Sequence, residues 1–332
     1  LHPRVRRQRQ MCIRDRFYES IAIRISQRRT TMVKKLVLLM IGIMMAALFA
    51  GCGNDAPKEQ AGKKIQVVTS FNAMAEFAKA IGGDKVEVST IIPDGVEPHD
   101  FELKPENMKQ LATAQVFVYN GFGMEPWAQQ AIDAAKNSKL ITVVATDGVE
   151  AIKNTDPEEI KEHGAEDPHA WLSLKNAKIE VKNIKDAFVK ADPANKDYYE
   201  KNYNEYVAKL DAMIKKYEDQ FAKAPHKNFV TGHAAFAYLC RDFGLEQNSV
   251  EDVFAEGEPN AAQLAELIKY CKENNITTIF AEEMASPEVS KTLASEVGAK
   301  VETIYTIESN EDNKTYLERM DENLTKIAAS LQ

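Results

Sequence analysis

The chain has 332 residues, 44% of them hydrophobic and 28% charged, with a formal net charge of −8. It is long enough for more than one core and too apolar for a disordered tail. Residues 1–51 carry 11 Lys+Arg against 2 Asp+Glu, leaving 31 against 48 in the remainder, a net of −17. A surface that acidic, without a basic stripe, excludes nucleic acid as the expected partner.

Residues 1–31 are arginine-rich, lack apolar periodicity and precede a second start, Met32; they read as a non-native or misassigned extension. Met32-Val33-Lys34-Lys35 then leads an uncharged apolar run, Leu36 to Ala50, closed by Ala50-Gly51-Cys52. This is the pattern of a secretory signal at 32–51. The run is shorter than the ~20 residues of a comfortable bilayer crossing, although an uncleaved anchor is the alternative. The cysteine after Gly51 resembles a bacterial lipoprotein signal, with Cys52 the lipidated residue and 52–64 a polar tether. Phe49 stands where such signals more often have leucine.

Strand and helix patterns then alternate. Strands are expected at Ile65–Ser70, Val86–Ile92, Val116–Tyr119 and Leu140–Val144, and helices at Ala73–Ile81, Pro105–Thr113 and Pro126–Lys136. Short β-branched runs between helices argue for βαβ units and a mainly parallel sheet. Residues 147–168 are acidic and turn-rich, a surface loop. From Asp192-Pro193, an N-cap followed by proline, the chain runs to Ala224 without glycine or proline. Tyr199, Tyr203, Tyr206, Val207, Leu210, Met213, Ile214, Tyr217 and Phe221 form one helical stripe there. The βα pattern resumes with strands at Asn228–Thr231, Thr277–Ala281 and Val301–Ile307, and helices at Ala234–Asp242, Asn260–Glu273, Ser286–Val297 and Tyr316–Ser330. The expected fold is α/β: an N-terminal lobe (65–190) and a C-terminal lobe (226–332), each a mainly parallel sheet flanked by helices, joined by one long rigid helix (191–225). Cys240 and Cys271 fall on helices, where export permits a disulfide and burial permits two free thiols. Neither has metal-site or redox spacing.

Three of the six histidines, His99, His169 and His233, end apolar runs and stand 70 and 64 residues apart. That spacing rules out a local finger, so only the fold can unite them. In open α/β sheets ligands sit beyond the carboxyl ends of the strands, and all three histidines can face one cleft there. Three imidazoles and a carboxylate would make a tetrahedral zinc site.

Four motifs carry a resemblance: Val96-Glu97-Pro98-His99-Asp100-Phe101-Glu102, Val118-Tyr119-Asn120-Gly121-Phe122-Gly123-Met124-Glu125-Pro126-Trp127, Asp167-Pro168-His169-Ala170-Trp171-Leu172 and Gly232-His233-Ala234-Ala235-Phe236-Ala237-Tyr238. In this order, behind a lipoprotein-type signal, they make the chain similar over about 65–330 to the zinc/manganese-type solute-binding lipoproteins of bacterial ABC importers. The resemblance implies two lobes bridged by a long helix, a metal in the cleft, and delivery to a permease driven by an ATPase, at the extracytoplasmic face of the membrane. It makes His99, His169 and His233 the first three ligands. The fourth is an acid near the last strand: Glu308 is best placed, with water, Glu282 or Glu283 as alternatives.

Manganese-type members tend to carry an acid where this chain has His233, and imidazoles suit zinc, so Zn²⁺ is the expected cargo over Mn²⁺. Zinc members often have a histidine-rich loop near 150–168, where this chain has only His163; His163 and His226 read as surface residues. Asp100 and Asp167 are candidates to hold imidazole N–H groups, or simply turn caps. The expected protein is a monomeric, non-enzymatic zinc receptor. A secreted zinc hydrolase would need a general base that no H-E-x-x-H motif supplies, and an adhesin or zinc store would use the same site.

Overall fold

A computed structural model describes residues 64–332 except 155–159, 162–163, 254, 256–258, 283–287 and 311. The expectations for residues 1–31, the signal at 32–51, Cys12, Cys52, the tether up to residue 63, His163 and Glu283 lie outside the described residues.

Two four-stranded parallel sheets dominate the described chain. The first comprises β1 (Ile65–Thr69), β2 (Val86–Thr90), β3 (Val116–Tyr119) and β4 (Ile141–Val144), in the order β2-β1-β3-β4. The second comprises β5 (Asn228–Thr231), β6 (Glu246–Ser249), β7 (Thr278–Glu282) and β8 (Lys300–Ile304), in the order β6-β5-β7-β8. The two halves therefore use the same strand order. Helices flank both sheets, and the inner strands β1, β3 and β7 are apolar and buried, as strands covered on two faces must be. Parallel pairing points all eight carboxyl ends the same way within each sheet, and the loops leaving those ends are the natural place for a site.

Between the sheets runs a helix of 28 residues, Lys196–Lys223, about 42 Å long at 1.5 Å per residue. Tyr199, Tyr206, Leu210, Tyr217 and Phe221 are its buried face, while Tyr203, Val207, Met213 and Ile214 pack at the margin. The apolar core runs from β1 and β3 along this helix to Phe229, Phe280 and the closing helix Tyr316–Ser330.

Three local expectations are corrected, and two elements appear that the sequence pattern does not announce. Residues 174–191 form a helix of 18 residues that the apolar pattern did not announce, capped by Ser173 accepting from the Asn176 N–H. Asp192-Pro193 does not open the long helix. A residue before proline avoids the helical region, so Asp192 ends the preceding helix and Pro193–Asn195 makes a separate 3₁₀ turn. The Asp192 carboxylate accepts from Asn195 Nδ2 (2.6 Å) and Tyr199 Oη (3.0 Å) across that turn. Strand β6 is Glu-Gln-Asn-Ser, a polar edge with no apolar periodicity to reveal it. The helix after β5 begins at Ala237 rather than Ala234, because residues 233–236 are diverted around His233. Strand β8 stops at Ile304, opposite Glu282 of β7, instead of reaching Ile307.

Cys240 and Cys271 are buried free thiols. Among the described residues no helix is long and apolar enough to cross a membrane.

A candidate metal centre

Four loops leaving strand carboxyl ends bring His99, His169, His233 and Glu308 together. Their ligand atoms all lie within 4.8 Å of one another. His99 follows β2, His169 follows β4, His233 lies two residues past β5, and Glu308 four residues past β8. His169 Nε2 stands 3.3 Å from Nε2 of both His99 and His233. Glu308 Oε1 lies 3.8 Å from His99 Nε2 and 3.7 Å from His169 Nε2. Four ligands about 2.0–2.1 Å from a tetrahedral zinc are ~3.3 Å apart. The imidazole edges match that figure, and the carboxylate edges are a few tenths longer. The rings are splayed at 56–80° to one another rather than stacked, so their Nε2 edges converge on one point.

Each of the four side chains is held from behind. Asp167 Oδ1 accepts both the backbone N–H and Nδ1 of His169, each at 2.9 Å. An Nδ1–H donated to a carboxylate leaves Nε2 as a lone pair aimed into the cluster. The Asp167 carbonyl is itself held by Tyr238 Oη at 2.7 Å.

His233 sits on a turn gripped by Glu282, whose Oε1 accepts from the N–H of Gly232 (3.1 Å) and His233 (3.2 Å). A Cβ on Gly232 would meet Glu282 Oε2 at 1.8 Å, so only glycine permits the approach. Burial first, then the neighbouring His169, hold the His233 imidazole well below its usual pKa. That favours the neutral imidazole, the form that binds a metal.

Glu308 receives Thr306 Oγ1 on its other oxygen, Oε2, at 2.9 Å. The segment around it is irregular because its carbonyls are captured one by one. Tyr305 O accepts from Asn323 Nδ2, Thr306 O from Trp171 Nε1, Ile307 O from Asn72 Nδ2, Glu308 O from the Asn72 N–H, and Ser309 O from Arg319 Nη1. Ile307 has φ +64°, a conformation β-branched residues avoid and surrounding contacts must impose.

Of the acids adjacent to histidines, Asp167 holds His169 directly. Asp100 is exposed, and Glu97 is the residue whose Oε1 accepts the His99 backbone N–H, at 3.3 Å. Glu282 grips the His233 turn and lies outside the four-residue group; His226 is half-buried and also outside it. The roles of Glu97, Thr306 and Trp171 were not read from the sequence, since each acts through a contact with no local spacing signature.

Residues 67–330 match the family model described as the periplasmic zinc-uptake complex component A. The chain is 41% identical over 299 residues, 86% of its length and 94% of the relative's, to the high-affinity zinc uptake system protein ZnuA of Bacillus subtilis (strain 168). Two solved structures are similar over 81% of this chain. One is the Streptococcus agalactiae laminin-binding protein Lmb, described as bifunctional with adhesin and metal-transporting activity (TM-score 0.74, 32% identity, all of that chain). The other is the Zn(II)-bound ZnuA-like domain of Streptococcus pneumoniae AdcA (TM-score 0.70, 33% identity, 99% of that chain). With 264 consecutive residues matched, from 67 to 330, the chain belongs to the family of the periplasmic zinc-uptake component.

Proposed function

We propose that the protein is an extracytoplasmic receptor that captures Zn²⁺ and passes it to the permease and ATPase of an ABC importer. The observation that carries this is the convergence of three imidazole nitrogens and one carboxylate oxygen, within 4.8 Å, from four different loops. His99, His169, His233 and Glu308 are its ligands, with zinc as cargo. Three nitrogens to one oxygen favours zinc over manganese. Four protein ligands leave no open position for an activated water, which argues against a zinc hydrolase. Cys52 carries lipid and residues 52–64 tether a monomeric receptor to the membrane surface.

The test is metal content and competition on the purified protein after chelation. One tightly held zinc per chain that manganese does not displace is expected. Preferential manganese would overturn the choice of cargo, and no bound metal would overturn the ligand set. The likeness to an adhesin with metal-transporting activity favours laminin adhesion as a second, compatible reading, tested by binding to immobilised laminin.

A further inference from the structure

The motif Asn120-Gly121-Phe122-Gly123-Met124-Glu125 contributes no ligand atom to the centre. It leaves the carboxyl end of β3 through three consecutive left-handed residues, Gly121 (φ +94°), Phe122 (+53°) and Gly123 (+83°). Phenylalanine is disfavoured there, so the turn must be held. A Cβ on Gly121 would lie 2.6 Å from Val144 Cγ1 and 2.8 Å from Thr146 Oγ1. Only glycine lets the turn press against the end of β4.

Glu125, almost fully buried, closes the turn: Oε1 accepts the Asn120 N–H at 2.9 Å and Oε2 the Gly121 N–H at 3.0 Å. On the other side the Asn120 carbonyl accepts from the Thr146 N–H (3.1 Å) and Thr146 Oγ1 (2.7 Å). The Asn120 backbone is thus fixed on both edges and the residue is fully buried. Its Nδ2 donates to Pro168 O at 2.8 Å and to Gly121 O at 3.0 Å. Both acceptors are carbonyls, which sets the NH₂ end of the amide toward them.

Pro168 immediately precedes His169. Its carbonyl shares a peptide unit with the His169 N–H, and besides Asn120 Nδ2 it accepts the Ala170 N–H at 2.8 Å. Asp167 holds His169 on its other side. A ligand set works only when its members are held within about 0.5 Å of the productive geometry. His169 is the member whose Nε2 lies 3.3 Å from both other imidazoles.

We propose that Asn120, clamped by Glu125, is a positioning residue for the metal centre: by fixing the Pro168 carbonyl it sets the approach of His169 Nε2 to the bound ion. This rests on the metal-binding reading above.

The experiment compares wild type, Asn120→Asp, Asn120→Ala and Asn137→Ala in the full protein. Asn120→Asp keeps the size but removes the donor; Asn137→Ala removes two hydrogen bonds, to Leu111 O and Ala114 O, outside the clamp. Three quantities are read: zinc affinity by chelator competition, the visible absorption of the Co²⁺-loaded protein, and the melting temperature without metal. The two Asn120 variants should lose roughly 10-fold in zinc affinity, the lower end of the range for groups that orient a ligand. They should also alter the Co²⁺ spectrum, while Asn137→Ala lowers the melting temperature with affinity and spectrum intact.

Asn120 variants that melt earlier yet keep wild-type affinity and spectrum would overturn the proposal, leaving Asn120 a turn-former only. Should neither Asn120 variant fold, Glu125→Gln, which weakens the clamp, decides on the same readings: a smaller loss of affinity supports the proposal and an unchanged site refutes it. A wild type that binds neither Zn²⁺ nor Co²⁺ would bring down the metal reading itself, and this proposal with it.

Discussion

His99 and His169 both come from the half of the chain that holds the first sheet, and their Nε2 atoms stand 3.3 Å apart, yet they are supported in opposite ways. His169 is fully buried, gripped at two atoms by Asp167, and followed at once by the 3₁₀ turn Ala170–Leu172, where Trp171 is bonded to Thr306. His99 ends an irregular segment whose residues 93–96 are exposed. Two of that segment's ties reach the other half: Gly95 N–H donates to Ser309 Oγ at 2.7 Å, and Asp94 Oδ1 accepts the Asn310 N–H at 3.2 Å. One imidazole is thus preorganised by its own neighbours, and the other is latched to the Glu308 segment. A preorganised ligand surrenders less freedom when the ion arrives. Capture should depend most on the His169 side, and release should begin at the His99 side.

The largest effect should come from removing ligands. Dividing the roughly 10–16 kcal/mol of a structural zinc site among four ligands gives roughly 2.5–4 kcal/mol each, or about 10²- to 10³-fold in affinity. His169→Ala and His233→Ala should fall at the upper end, His99→Ala at the lower, and Glu308→Ala below all three, by chelator competition. Equal losses for His99 and His169 would break the comparison.

Next, Asp167→Ala should weaken zinc binding roughly 10- to 100-fold, whereas Glu97→Gln, behind His99, should cost no more than a few-fold. The reverse order would place the preorganised ligand on the wrong side.

Acidity probes the same buried wall. The folded state holds His233 well below 6.5 through burial, so below that pH the unfolded chain takes up a proton that the fold refuses. Stability without metal should therefore fall as the pH drops through and below about 6.5, and His233→Gln should remove that part of the slope. Glu180, fully buried on the helix Leu174–Ala191 and pushed up to about 8 by burial, has the opposite sign. The fold holds a proton there that the unfolded chain releases above about 4.5. Wild type should lose stability from this group as the pH rises from about 4.5 to about 8, and Glu180→Gln should flatten that loss in denaturant titrations at several pH values.

The smallest effect should follow from Ser309→Ala, which removes one latch on the His99 loop. Zinc dissociation by stopped-flow should quicken a few-fold with little change in melting temperature; an unchanged rate would mean the latch does not hold the loop.

What could be read along the chain was whatever repeats locally. Alternating β-branched runs placed seven of the eight strands, and the tyrosine stripe placed the long helix, because burial imposes a period on contiguous residues. Strand β6, all polar, carries no such period, and the boundary at Asp192 turned on a competition between capping and the steric demand of Pro193 that either reading could satisfy. The histidines were legible as candidates because each stands in a distinctive motif. Asp167 was legible because it is a neighbour in sequence. Asn120 and Glu125 were legible as part of a motif without a role, since their effect passes through the carbonyl of a residue 48 positions away from Asn120.

Residue types and their periodicity set the donor chemistry, three imidazoles among acids, and the alternation that makes two parallel sheets. That Glu308 rather than Glu282 joins the three imidazoles in one group was settled by long-range contacts. Both acids lie near strand ends, and their side chains were sorted by what captured the backbone around them. Glu282 was claimed by the N–H groups of Gly232 and His233. Glu308 was turned inward by a segment whose carbonyls are held by Asn72, Trp171, Arg319 and Asn323. Those partners lie as far as 235 residues away, and a buried carbonyl must be satisfied wherever its donor comes from.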